Sequence, residues 1–294
     1  MASLTLRAFA KINLSLRVSR GQRDGFHDVK TILQSISLFD RVTCQTRRGP
    51  FQLRSDMPGV PSDSTNLVWK AAQLLWHAAG RSGEPRDTVV TLEKKIPMQA
   101  GLGGGSSDAA AALVGLRRLW KLRVPVEEIH TMAATLGSDV PFFLVGGTAL
   151  GLGRGDELYP LESLPRHWVV LAIPPFGVAT RDAYRWFDES ATAGRTRSSG
   201  APVSEHRPSP LVPNVPLLND LEGPVIERHP LIGQLKQQFT EHDALTAAMS
   251  GSGSTVYGVF TSARAATAAA RAVSAGGIRV LTARFIGRSA GRSR

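Results

Sequence analysis

The sequence predicts an α+β protein of two domains, residues 1–160 and 161–294. Three observations predict it. Residues 4–18 alternate with a period of two, as a strand does. A strand-like run, a glycine loop and an alanine-rich helical run follow one another between residues 89 and 122. The second half then repeats the alternation of strand and helix patterns around another glycine-serine turn at residues 249–255. A length of 294 residues suits one or two domains with ample material for a core.

Along the first strand, Leu4, Leu6, Ala8, Ala10, Ile12, Leu14, Leu16 and Val18 form one face. Thr5, Arg7, Phe9, Lys11, Asn13, Ser15 and Arg17 form the other, so the strand is expected to be half-buried, with Lys11 and Asn13 able to point at one ligand. Residues 21–28 read as a turn, and the strands expected next are residues 29–38 and 41–46. Asp63 or Ser64 is placed to cap a helix from Asn66 to Ala79 that Gly80 ends. Pro125 opens a helix with Glu127 and Glu128 in its first turn and Gly137 after its end. Asp139 then stands at the mouth of the apolar run Val140-Pro141-Phe142-Phe143-Leu144. Residues 146–155 suggest a hairpin, 168–173 a buried strand, and 188–216 a long mobile insertion with hardly a periodic apolar position. A helix over 230–242, a strand over 256–260, a helix over 264–274 and a strand over 278–285 complete the chain.

The most informative stretch is Pro97-Met98-Gln99-Ala100-Gly101-Leu102-Gly103-Gly104-Gly105-Ser106-Ser107-Asp108. Four glycines in five positions allow sharp turns and a close approach of backbone N–H groups to a ligand. Ser106 or Ser107 is the expected N-cap of the helix that follows. The first N–H groups of that helix lack internal partners, and the helix dipole adds partial positive charge, so loop and helix start together form an anion site. Asp108 reads as a helix-stabilising acid, since a carboxylate aimed at a phosphate would repel it.

Composition narrows the function. With 42% apolar residues the chain is globular. One cysteine, Cys44, excludes an internal disulfide and a cysteine-based zinc site. Arg7 and Lys11 interrupt any N-terminal signal run, and no stretch approaches the about 18 uninterrupted apolar residues of a membrane span, so a cytoplasmic location is expected. A net charge of +11 suits an anionic small molecule as well as nucleic acid, but the basic residues cluster only at residues 284–294 and no aromatic-plus-basic RNA motif is visible. No Gly-Lys-[Ser/Thr] follows the glycine loop, its third fingerprint glycine is replaced by Ser106, and no His-Glu-x-x-His run is present. Nucleotide triphosphate binding by a fold without a Walker motif remains.

Ala10-Lys11-Ile12-Asn13-Leu14, residues 97–110 and residues 249–256 resemble the three motifs of the GHMP small-molecule kinases. Gly25-Phe26-His27-Asp28 and Gly137-Ser138-Asp139-Val140-Pro141-Phe142-Phe143 resemble one branch of that family, which acts on a cytidine-diphosphate-linked methylerythritol. The resemblance covers about residues 4–288. It implies a two-domain fold with ATP and substrate in the cleft between the halves, and phosphorylation of the substrate's 2-hydroxyl in non-mevalonate isoprenoid synthesis. Lys11 and Asp139 fall on the catalytic pair. Residues 97–107 would hold the triphosphate, Asn66 and Lys95 the adenosine, and Mg²⁺ would bridge phosphate oxygens with Ser107 as a hydroxyl ligand. His27 would read the cytosine edge, Phe26 and Tyr184 would cover its face, and Asn13, Gly251, Ser252 and Gly253 would also lie on the substrate. The expected protein is a monomer or homodimer with no nucleic-acid or membrane partner. A kinase for another small alcohol such as homoserine or mevalonate, and a non-catalytic nucleotide- or RNA-binding protein, are the alternatives.

Overall fold

The computed structural model describes residues 2–19, 27–192, 211–212 and 216–288. The chain starts with β1 (Ser3–Val18) and the long β2 (Val29–Pro50), antiparallel to each other from Ser3↔Gln45 to Val18↔Val29. β2 does not break at Phe39–Asp40. A register shift between Phe9 and Ala10 absorbs the irregularity, so one strand replaces the two expected. Next come β3 (Gln52–Ser55), α1 (Leu67–Ala78), β4 (Arg86–Glu93) and α2 (Gly104–Leu119). They are followed by α3 (Val126–Leu136), α4 (Val140–Val145) and the hairpin of β5 (Thr148–Leu152) and β6 (Glu157–Pro160). These six strands make one sheet, ordered β3-β4-β2-β5-β6 with β1 on β2.

The second sheet, ordered β10-β7-β9-β8, is built from β7 (Trp168–Ile173), β8 (Thr246–Met249), β9 (Val256–Phe260) and β10 (Arg279–Arg284). Its helices are α5 (Thr180–Thr192), α6 (Glu222–Arg228), α7 (Pro230–Glu241) and α8 (Ala263–Ala272). The two sheets share a core: Ala10, Ile12, Leu14, Ile32 and Ile36 pack with Val169, Leu171, Tyr257 and Phe285. Tyr257 Oη donates to the Asn13 carbonyl at 2.9 Å, tying β9 to β1 at the level of the site. Burial drives the Tyr257 phenol up, with Glu222 adding to it, so it stays a neutral donor.

Four expectations need correction. The second face of β1 is solvated only toward its ends, at Thr5, Arg7 and Arg17: Lys11, Asn13 and Ser15 are all buried, because the glycine loop and the second half of the chain cover that stretch. α2 begins at Gly104, capped by Gly103 in the left-handed region (φ 71°), so Ser106 and Ser107 sit inside its first turn. The cap of α1 is Asn66, whose side chain accepts from Val68 N–H, and not Asp63 or Ser64. Residues 188–192 of the expected insertion continue α5, and Leu211 is buried in the shared core; 193–210 and 213–215 lie outside the described residues. α5, α6 and β8 were not anticipated at all.

Candidate active site

The glycine stretch folds as a turn clamped on both sides. Lys11 N–H donates to the Leu102 carbonyl at 3.0 Å, and Ser250 Oγ to the Gly101 carbonyl at 2.9 Å. Two glycines are required by contact as well as by backbone angle. A Cβ on Gly101 (φ 73°) would lie 2.0 Å from the Ser250 carbonyl oxygen. One on Gly103 would lie 2.6 Å from Phe143 Cζ and 3.1 Å from Lys11 Cγ.

The turn borders a cavity of about 510 Å³. It brings together Lys11, Asn13, the whole run from Pro97 to Ser106, Asp139, Tyr184, Gly251 and Ser252. A second cavity, of about 650 Å³, holds His27 and adjoins the first through shared Val29, Ser138, Arg154, Thr180 and Tyr184. Asn66, Lys95, Ser107 and Gly253 line neither, and Phe26 lies outside the described residues. Asn66 is occupied as the α1 cap. Lys95 is exposed, its Nζ 5.8 Å from the Phe39 ring centroid, while its neighbour Lys94 faces the cavity. Ser107 is buried and donates to the Phe9 carbonyl at 2.7 Å, which turns its hydroxyl away from the phosphate side; Ser106 lines the cavity in its place.

At the mouth of the turn, Lys11 Nζ stands 3.4 Å from Asp139 Oδ2 and donates to Asn13 Oδ1 at 2.7 Å. Lys11 is buried, whereas the Asp139 side chain is 38% exposed and so open to a ligand. Asp139 precedes α4 without capping it, and Val140 and Phe142, both fully buried, anchor the residues after it. Asn13 is held in one orientation: its Nδ2 donates to Thr31 Oγ1 at 2.8 Å, and Thr31 donates onward to the Ser15 carbonyl at 2.7 Å. The amide oxygen is therefore the atom left for Lys11. Tyr184 is pushed up to about 12, first by burial and then by the charge of Asp139.

A second charged cluster lies under the turn, and only its acid at Asp108 stood in the glycine stretch. Lys94 bridges Asp40 and Asp108, with Nζ 2.5 Å from Asp108 Oδ2. The other Asp40 oxygen accepts from the N–H groups of Lys95 and Ile96. Burial pushes Asp108 up to about 7, against the pull of Lys94 and with help from Asp40. Asp108 Oδ1 is buried and has no hydrogen-bond partner. Burial pulls Lys94 down, but the two carboxylates outweigh it and raise it.

His27 Nε2 lies 2.8 Å from Asp188 Oδ1, and its ring centroid is 5.0 Å from that of Tyr184. A carboxylate at Nε2 selects the tautomer with its proton there and leaves Nδ1 as an acceptor. Asp188 fell in the expected insertion, and nothing local in the sequence marks it. Asn219, which donates to the Met249 and Gly251 carbonyls at 2.8 Å and so shapes the second glycine turn, was seen only as a return of order.

Comparison with known proteins bears on this geometry. Residues 66–147 match the GHMP kinases N terminal domain and residues 206–279 the GHMP kinases C terminal domain. The 4-diphosphocytidyl-2-C-methyl-D-erythritol kinase of Synechococcus sp. (strain JA-3-3Ab) is 42% identical over 277 residues, covering 89% of this chain and 86% of the relative. The chain belongs to this family of GHMP kinases. The same-named kinase of Moorella thermoacetica (strain ATCC 39073 / JCM 9320) is 41% identical, over 88% of this chain and 90% of the relative. A crystal structure of 4-(cytidine 5'-diphospho)-2C-methyl-D-erythritol kinase superposes with a TM-score of 0.75 at 32% identity, covering 97% of this chain and 100% of the other. The homoserine kinase of Cytophaga hutchinsonii, at 18% identity and a TM-score of 0.65, shares the GHMP kinase fold. Among the described residues of this GHMP kinase no group of three or more His, Cys, Asp or Glu could hold a metal, and no helix is long and apolar enough to cross a membrane.

Proposed function

We propose that the chain is a cytoplasmic ATP-dependent kinase that phosphorylates the 2-hydroxyl of 4-diphosphocytidyl-2-C-methyl-D-erythritol, a step of the non-mevalonate route to isoprenoid precursors. The observation that carries the mechanism is the Lys11–Asp139 pair set 3.4 Å apart at the mouth of the glycine turn. On this reading the chain divides near residue 160, with each half contributing one wall of the cleft.

A hydroxyl is a poor nucleophile until its proton has somewhere to go. The Asp139 carboxylate accepts it. Lys11 beside it stabilises the negative charge developing on the attacking oxygen. Asn13 holds the ammonium from the other side. The N–H groups at the start of α2 and along residues 101–106 bind the triphosphate, and phosphoryl transfer then needs chiefly alignment and charge neutralisation. Mg²⁺, when bound, supplies part of that neutralisation. The site would suit it as a metal carried in by phosphates, with few protein ligands, and the Ser106 hydroxyl and Asp139 carboxylate, which line the same cavity, are the groups that would help to hold it. Lys94 lines the nucleotide side of the same cavity.

In the adjoining cavity, His27 Nδ1 accepts from the cytosine amino group, with Asp188 fixing the tautomer. The Tyr184 ring covers the base. Arg154, which lines both cavities, and Gly251 and Ser252, which line the first, are the groups for the diphosphate between base and reacting hydroxyl. Turnover of ATP against a panel containing the cytidine-linked polyol, homoserine and mevalonate tests the reading. Preference for the cytidine-linked polyol is expected; equal or better use of a non-nucleotide alcohol overturns it.

A further inference from the structure

Along the flank of α2, turned away from the catalytic cavity, lies another cavity of about 360 Å³ that the proposed reaction does not use. Its interior is apolar, with Leu6, Val114, Ile129 and Leu144 on its walls. Its charged or titratable lining is all of one kind, Arg7, Arg117, Arg118 and His130, with the hydroxyls of Ser35 and Ser107 beside them and no carboxylate among the described lining residues. Arg7 is stacked on the Phe39 ring at 5.0 Å. Arg117 is the unusual member. Its Nε is buried without a hydrogen-bond partner, and it makes no ion pair with any described carboxylate. Buried guanidinium N–H groups are normally satisfied, because desolvating them without an acceptor is costly. An apolar chamber with a buried, unpartnered guanidinium N–H on its wall has the chemistry of a site for an anion with an apolar tail.

We propose that this cavity is a second ligand site that takes a small amphiphilic anion, with a short apolar chain inside and a phosphate or carboxylate head on Arg117. The site reports to the glycine turn through one side chain. Phe143 lines this cavity, and its ring is the atom group that a Cβ on Gly103 would strike. Ser107, on the same wall, ties the first turn of α2 to Phe9. A ligand in the cavity braces Phe143 against Gly103 and so holds the turn in its nucleotide-binding shape, which favours ATP.

Calorimetric titration of the full chain with hexyl phosphate and with hexanoate tests this, the two heads separating a phosphate from a carboxylate site. Inorganic phosphate and hexanol serve as the head and tail alone. Saturable binding of one of the two amphiphiles, tighter than either fragment, is expected. Arg117→Leu should weaken it about tenfold or more while leaving basal turnover unchanged. Val114→Phe, which fills the chamber with every arginine intact, should abolish it, and thermal melts check that both variants fold. No saturable binding, or the same affinity in both variants, overturns the site. An ATP affinity that does not rise when the cavity is saturated overturns the link to the glycine turn. Because binding is read directly, these outcomes are independent of which alcohol the enzyme phosphorylates.

Discussion

Two lysines flank the glycine turn and meet opposite fates. Lys11 faces one carboxylate, Asp139, whose side chain is 38% exposed. Lys94 faces two, Asp40 and Asp108, which are sealed from water at 0% and 3%. The residue types are the same, and so is the proximity to the turn. What differs is spare capacity. Asp139 has an oxygen open to the cleft and caps nothing, so it can take a proton from a substrate. Asp40 uses its oxygens on Lys94 and on the backbone at Lys95 and Ile96, so it can only hold the approach to the turn in place. An ion pair by itself therefore says little about chemistry; the lone pairs left open to the cleft say more, since Asp108 Oδ1 is also unpartnered but sealed from it.

The largest effect that would break this contrast is at Asp139. Asp139→Asn should leave the melting temperature and the ATP dissociation constant nearly unchanged and cut kcat by about 10²–10⁴-fold, the usual share of general acid–base catalysis. Near-normal turnover would remove Asp139 from its role. Asp40→Ala should do the reverse kind of damage. It leaves two buried N–H groups and one lysine contact unanswered, and urea titration should show a loss of about 3–5 kcal/mol. A loss below about 0.5 kcal/mol, the range of an ordinary surface change, would show the buried cluster to be incidental.

His27→Ala sharpens the comparison on the substrate side. Loss of a hydrogen bond to the base should raise KM for the cytidine substrate by about tenfold, with KM for ATP little affected. Equal changes in both would refute the base-reading role. The smallest effect is a pH slope. The folded-state pKa of Asp108, about 7, lies above its ordinary 3.8, so between those values the folded chain holds a proton that the unfolded chain has released. Its contribution to stability is full below about pH 4, falls as pH rises, and is lost above about 7. Lys94, raised above its ordinary value, keeps its own contribution until far higher pH. Asp108→Asn, which mimics the protonated carboxyl, should flatten the melting temperature across that window; an unchanged slope would place the proton elsewhere.

Which of these residues could be read from the chain follows from sequence distance. Lys11 and Asn13 stand two apart on a strand, and the glycine turn and its helix are contiguous, so period and turn chemistry suffice to find them. Choosing between Lys94 and Lys95 was a different matter. Adjacent residues on an extended segment point to opposite sides, and which side faces the cleft depends on Asp40, 54 residues upstream. Ser107 was misread for a related reason. Taking it as a cap sets the helix start four residues late, since the cap is Gly103, and its hydroxyl bonds Phe9, 98 residues away. α5 is hard to read from the chain because its strongly amphipathic run adjoins a polar, proline-rich stretch that masks its end.

By itself, then, the sequence determined the local backbone: the alternating strand, the glycine turn that only residues without a Cβ can make, and the α+β succession. Those depend on angles and periods within a few residues of one another. Tertiary structure alone decided which polar groups keep an open valence. Asp188 on His27 spans 161 residues and Tyr257 on Asn13 spans 244. Whether a carboxylate is satisfied or available is settled by what the fold places against it, and no short-range pattern encodes that neighbour.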